Sequence, residues 1–163
     1  MGIQQRYWNY LFQIKSWTFY LNIYADNSYR WQRRIDCYTA ITSSSSIALW
    51  AIWKKYSFIW AIFIALSQIV NAIKVYLPFS KRLEFINPFI NDLQTLFNNM
   101  DYKWFQVANG ELSENEINEA LHLYKNKFLQ LEQKYLKGNV LPENCEYLKR
   151  ADEKAIAYFN SNY

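Results

Sequence analysis

The stretch Phe58-Ile59-Trp60-Ala61-Ile62-Phe63-Ile64-Ala65-Leu66 is the most apolar in the chain, and its reading decides the fold. Extended outward, it runs from Tyr56 to Leu77 with only Ser57, Ser67, Gln68, Asn71 and Lys74 as polar interruptions. At about 1.5 Å per residue, that length matches a hydrocarbon core about 30 Å thick. Just upstream, Ile35 to Trp53 is a second apolar segment, weakened by Asp36, Thr39, Thr42 and the run Ser43-Ser44-Ser45-Ser46. Hydroxyls can bond a carbonyl one turn back, so a spanning helix tolerates them. Only Lys54-Lys55 separates the two segments. So short a link predicts an antiparallel helical hairpin. Trp50, Trp53, Tyr56 and Trp60 gather at the turn, and Tyr38 and Tyr76 lie towards the other end, as in the aromatic belts of membrane helices. Basic residues flank both sides: Lys54 and Lys55 in the loop against Arg30, Arg33, Arg34, Lys74, Lys81 and Arg82 at the open end. That imbalance predicts both termini in the cytoplasm. A soluble bundle with a buried hairpin is the competing reading.

A hairpin turning at Lys55 sets Asp36 opposite Lys74, Thr39 opposite Asn71 and Ser43 opposite Ser67. Spacings of three and four place each set on a single helical stripe. With Ser46, these residues are either interhelical glue or the lining of a wet path between several copies. The sequence leaves both open.

Composition agrees with an all-helical chain. The 163 residues hold 3 Gly and 3 Pro, too few for the turns of a sandwich or barrel or for a phosphate-binding glycine loop. Two cysteines, Cys37 and Cys145, do not make a disulfide framework, and a 52% hydrophobic content excludes disorder. Aromatic residues form 20% of the chain. The net charge of +4 divides into +6 over residues 1–110 and −2 beyond, which suits a membrane surface better than nucleic acid. The basic-aromatic segment Tyr29-Arg30-Trp31-Gln32-Arg33-Arg34 reads the same way.

The flanks read as amphipathic helices. Tyr7, Leu11, Ile14, Thr18 and Leu21 form one stripe, widened by Trp8, Phe12, Phe19 and Ile23. This helix suits either a lipid interface or packing against the C-terminal helices. Asp26-Asn27-Ser28 predicts a break and a new cap, and Asn87-Pro88 a helix start. Phe89, Leu93, Leu96, Met100, Trp104 and Val107 follow as a stripe that ends at Asn109-Gly110. Ser113-Glu114-Asn115-Glu116 is a capping box. It opens a heptad seam, Ile117, Leu121, Tyr124, Phe128, Leu131 and Tyr135, closed by Gly138. The seam suits intramolecular core or self-association. A last helix after Pro142 turns Leu148, Ala151, Ala155 and Phe159 inward.

No catalytic, cofactor or metal site is expected. His122 is the single histidine and reads as a surface residue, and Glu114, Glu116 and Glu119 suit a helix N-terminus. The fold class is therefore all-α: an N-terminal amphipathic helix over 1–28, a transmembrane hairpin over 29–86 and a cytoplasmic helical hairpin plus third helix over 87–163. The element order, with its Arg-rich segment Tyr29–Arg34 ahead of a close hairpin, resembles the SLATT proteins, bacterial two-transmembrane effectors of nucleotide-signalling defence systems. The resemblance covers residues 1 to about 110. It implies a pore-forming effector that arrests an infected cell. The expectation is an oligomeric inner-membrane protein that permeabilises or depolarises the membrane in anti-phage defence. The lipid bilayer and further copies of the chain would be its partners, and a cytosolic partner would signal through residues 87–163. The alternatives are a membrane-tethered adaptor that recruits a cytosolic partner without conductance and a soluble helical interaction protein.

Overall fold

The computed structural model describes residues 2–52, 57–74, 79–139 and 141–163, with their side chains except those of 42–52, 57, 60, 63, 74, 79 and 80. Among the described residues the chain is all-helical: α1 (Ile3–Ile52), α2 (Ser57–Lys74), α3 (Phe79–Ala108), α4 (Glu114–Leu136) and α5 (Cys145–Asn162). They form two compact units, residues 1–25 with 82–163, and residues 26–81.

The first unit is built from the stripes. Tyr7, Leu11, Ile14, Thr18 and Leu21 of α1 are all buried, as are Phe89, Leu93, Leu96, Met100 and Val107 of α3. The α1 stripe therefore packs on protein, which decides between its two readings. Ile117, Leu121 and Tyr124 of α4 are buried, and Phe128, Leu131 and Tyr135 pack against the same core, so within this unit the heptad seam is intramolecular. Ala151, Ala155 and Phe159 of α5 complete it. Buried polar groups find partners across helices. The Tyr7 hydroxyl donates to the Met100 carbonyl (2.9 Å) and the Tyr124 hydroxyl to that of Asn99 (3.1 Å). Asp92 accepts from Lys134 (3.0 Å) and Tyr135 (2.6 Å), and these two bonds hold its carboxyl below the usual range.

The loops follow local chemistry. Gly110 and Gly138 take positive φ (71° and 81°) just past the ends of α3 and α4, where a side chain would be strained. At α4 the Ser113 hydroxyl accepts from the Glu116 N–H, and the Glu116 carboxylate accepts from the Ser113 N–H (2.8 Å), a complete capping box. Ser113→Ala is expected to cost about 1 kcal/mol, read as a lower urea midpoint at unchanged slope.

Three expectations are corrected. First, α1 runs unbroken through Asp26-Asn27-Ser28. Three poor helix formers cost a few tenths of a kcal/mol each, whereas a break leaves four N–H and four C=O groups to satisfy. Second, α3 begins at Phe79 and carries Pro88 inside it. Proline removes one helical hydrogen bond, but Leu83 and Ile86 before it are buried in the same core as Phe89 and Ile90 after it.

Third, among the described residues no helix is long and apolar enough to cross a membrane. This overturns the transmembrane hairpin, the pore and the multi-pass inner-membrane placement. The segment 35–53 is no separate apolar helix: its described part belongs to the 50-residue α1, which carries Asp36 and the hydroxyl run. The described length of α2 is 18 residues, about 27 Å at the helical rise, short of a core about 30 Å thick. Ser67, Gln68 and Asn71 interrupt its apolar run further.

Candidate functional site

In the first unit, the start of α1 meets the ends of α3 and α5, and aromatic side chains collect there. Trp8 centres the cluster, with ring centroids 4.8 Å from Trp104, 4.9 Å from Phe159 and 5.0 Å from Tyr163. Tyr163 stacks on Phe159 at 5.3 Å, and Tyr7 stacks on Trp104 at 6.0 Å. Edge-on and offset geometries of this kind rigidify a cluster beyond the area it buries.

Two open recesses border the cluster. One, about 850 Å³, is lined by Gln4, Gln5, Trp8, Trp104, Asn160 and Tyr163 among others. The other, about 490 Å³, is lined by Asp101, Tyr102, Phe105, Tyr158 and Asn162, and again by Trp104 and Tyr163. The shared Trp104 and Tyr163 make the two recesses one groove with a ridge. The Tyr163 hydroxyl is hydrogen-bonded to the Asp101 carboxylate. At the groove's edge Tyr102 and Phe105 stand 77% and 67% exposed.

Behind the second recess, Lys15 is buried in an aromatic box. Its ammonium lies 4.0 Å from the Tyr158 ring centroid, 4.2 Å from that of Phe97 and 5.4 Å from that of Phe19. Burial lowers its pKa, and the negative charge of Asp101 partly opposes this. Burial likewise raises the Asp101 carboxyl against the pull of Lys15. Of the three rings, Tyr158 also lines the second recess, so Lys15 contacts that wall from behind by cation–π interaction.

The residues singled out from the sequence lie elsewhere. Asp36 is half-buried on α1, and the Thr39 hydroxyl donates to the Asp36 carbonyl (2.9 Å). Ser67 is buried and donates to the Ile64 carbonyl (2.8 Å), while Asn71 is exposed. The described hydroxyls of the stripe thus bond to their own helix. The side chains of Ser43, Ser46 and Lys74, and residues Lys54 and Lys55, lie outside the described parts, so the proposed pairs of Asp36 with Lys74 and Ser43 with Ser67 do too. Arg30, Arg33, Arg34 and Lys81 are exposed, and the Arg34 guanidinium lies 5.3 Å over the Trp31 ring. Arg82 is half-buried and donates to the Tyr24 hydroxyl (2.9 Å). His122 is exposed and bonds to Asn126 (3.1 Å). Cys37 and Cys145 are exposed free thiols, the latter opening α5.

Sequence reasoning missed the groove. Trp104 and Trp8 were read only as stripe residues. The available signal was Tyr102 and Phe105, two large aromatics on the polar side of an otherwise amphipathic α3. Comparison of the chain with protein-family models, with curated proteins and with solved structures finds no match.

Proposed function

We propose that the chain is a helical interaction protein: an adaptor whose first unit grips a segment of a partner protein in the groove around Trp104 and Tyr163. One observation carries this reading. Tyr102 and Phe105 are largely exposed and line a recess whose wall includes the rings of Trp104, Tyr158 and Tyr163. Exposed aromatics on a braced frame act as interface anchors, since they bury much apolar area at little entropic cost. An open groove between helices takes an amphipathic helix bearing apolar anchors three to four residues apart. The groove's amides, Gln4, Gln5, Asn160 and Asn162, suit the polar rim of such a contact.

The test places a photo-crosslinking residue at Tyr102 and, separately, at Phe105 in expressing cells. Both are expected to yield the same discrete protein adduct. Phe105→Glu, with the crosslinker at Tyr102, is expected to reduce that adduct at least tenfold, because losing one buried aromatic anchor costs about 1.5–3 kcal/mol. No adduct, or an equally abundant one from a crosslinker at exposed Leu129 on α4, overturns the proposal. A membrane-potential dye supplies the second arm. Induced expression is expected to leave the potential unchanged, and depolarisation would return the permeabilising reading.

A further inference from the structure

In the second unit α2 presents an apolar face that the described residues leave uncovered. On α2, Ile59, Ile62, Leu66, Ile69 and Ile73 recur at spacings of three, four, three and four, and they are 49%, 45%, 47%, 54% and 50% exposed. Ser67 is buried and Val70 half-buried on the neighbouring face, so α2 packs inward by that side and turns the aliphatic seam out. Such spacing is the heptad pattern of a left-handed coiled coil. Phe58 and Ile64, 76% and 38% exposed, are the further large apolar side chains described as exposed on α2.

We propose that this seam is the contact by which copies of the chain assemble through α2. The pattern is self-complementary: identical knobs and holes meet when the same helix packs beside itself. The area suffices. Half of each of five aliphatic side chains, with Phe58 beside them, amounts to roughly 500 Å² per copy, so a pair buries about 1,000 Å², the size at which a specific interface begins.

The residue types also set the copy number. With Ile59, Leu66 and Ile73 at a, Ile62 and Ile69 fall at d. Isoleucine at d disfavours two strands and favours three or four. The flanking g positions are Phe58, Ala65 and Ala72, all exposed and all apolar, so each helix offers apolar surface to more than one neighbour. The assembly is therefore a trimer or tetramer. This contact is independent of the aromatic groove, which belongs to the other unit.

Sedimentation equilibrium of the purified full chain at rising concentration tests it. The wild type is expected to reach three or four times the monomer mass. Ile62→Lys with Ile69→Lys should return the monomer, with helix content unchanged because both side chains are half exposed. Gln68→Lys, exposed but off the seam, should leave the assembly intact. The most specific variant is Ile62→Leu with Ile69→Leu, which keeps the apolar area but places leucine at d. It is expected to shift the mass to two copies, and it remains informative if the lysine pair fails to fold. A wild type monomeric at every concentration overturns the proposal. So does a monomer that floats with phosphatidylcholine vesicles, which would give the face to lipid, and so does an assembly that survives the lysine pair.

Discussion

Raising the pH above 10 is expected to unfold the unit formed by residues 1–25 and 82–163, because its core holds tyrosines in the neutral form. Burial pushes Tyr7 far above its ordinary value and Tyr10 to about 12; Tyr20, Tyr124 and Tyr158 are raised from the same leading cause. A group whose pKa is raised on folding contributes its stability in full below the unfolded value, near 10. That contribution is lost as the pH climbs towards the folded value, because the unfolded chain releases the proton first. Lys15 has the opposite sign: its lowered pKa costs stability at low pH, and that cost fades as the pH rises from the lowered folded value to the ordinary lysine value, above which it is gone. One lysine stands against several tyrosines. Tyr7 alone removes about 1.4 kcal/mol per pH unit above 10, and the others add to it. Against a domain stability of about 5–15 kcal/mol, a loss of this size is expected to lower the urea midpoint steadily from pH 10 to 12 and to begin unfolding the unit there. Tyrosinate absorbance and far-UV circular dichroism should change together in one step. Tyr7→Phe should move that step upward, since the Met100 carbonyl it frees still lies within the hydrogen-bond ladder of α3. Smooth titration of all 14 tyrosines near pH 10 with helix intact would show the core assignment to be wrong.

The first unit was legible in the sequence because its helices are amphipathic. A stripe such as Phe89, Leu93, Leu96, Met100 and Val107 has one side to bury, and periodicity names that side without knowing the neighbour. The capping box at Ser113 and the glycines at 110 and 138 were legible for a different reason, since each answers a local demand of a helix end. Cap signals inside a longer helix misled. Asp26-Asn27-Ser28 and Asn87-Pro88 carry the right side chains for a boundary, but at the first the local preferences of under about 1 kcal/mol are outweighed by the backbone groups a break would free, and at the second the proline yields to a buried stripe, Leu83 and Ile86 before it and Phe89 and Ile90 after it.

The second unit was misread for a physical reason as well. An apolar run can face lipid, a protein core or a partner copy, and hydrophobicity alone does not separate these. Ser67 inside with Ile69 outside fits all three; what speaks against a spanning pair is that no described helix is long and apolar enough to cross a membrane, and that Asn71 of the same polar stripe is exposed. The groove was illegible because it joins Trp8, Trp104 and Tyr163, residues distant in sequence. No single-helix pattern brings them together.

The largest mutational effect is expected at Phe89. Its side chain is fully buried, stacks on Tyr135 at 5.4 Å and directly follows Pro88, where α3 lacks one backbone hydrogen bond. Phe89→Ala is expected to cost about 3–5 kcal/mol, from lost transfer energy plus the cavity left behind. For a unit of this size that lowers the melting temperature by at least about 10 °C. Phe89→Leu, which keeps most of the volume, should cost under about 1.5 kcal/mol. Phe105→Ala, on the same helix but exposed, should stay within about 0.5 kcal/mol. Urea unfolding of the three variants gives the comparison. The contrast separates two accounts of α3. If the stripe holds the helix together across Pro88, removing its first residue after the proline is severe and removing Phe105 is silent. If instead α3 were two helices meeting at Asn87, the Phe89 site could relax around the smaller side chain, and Phe89→Ala would cost less than about 1 kcal/mol.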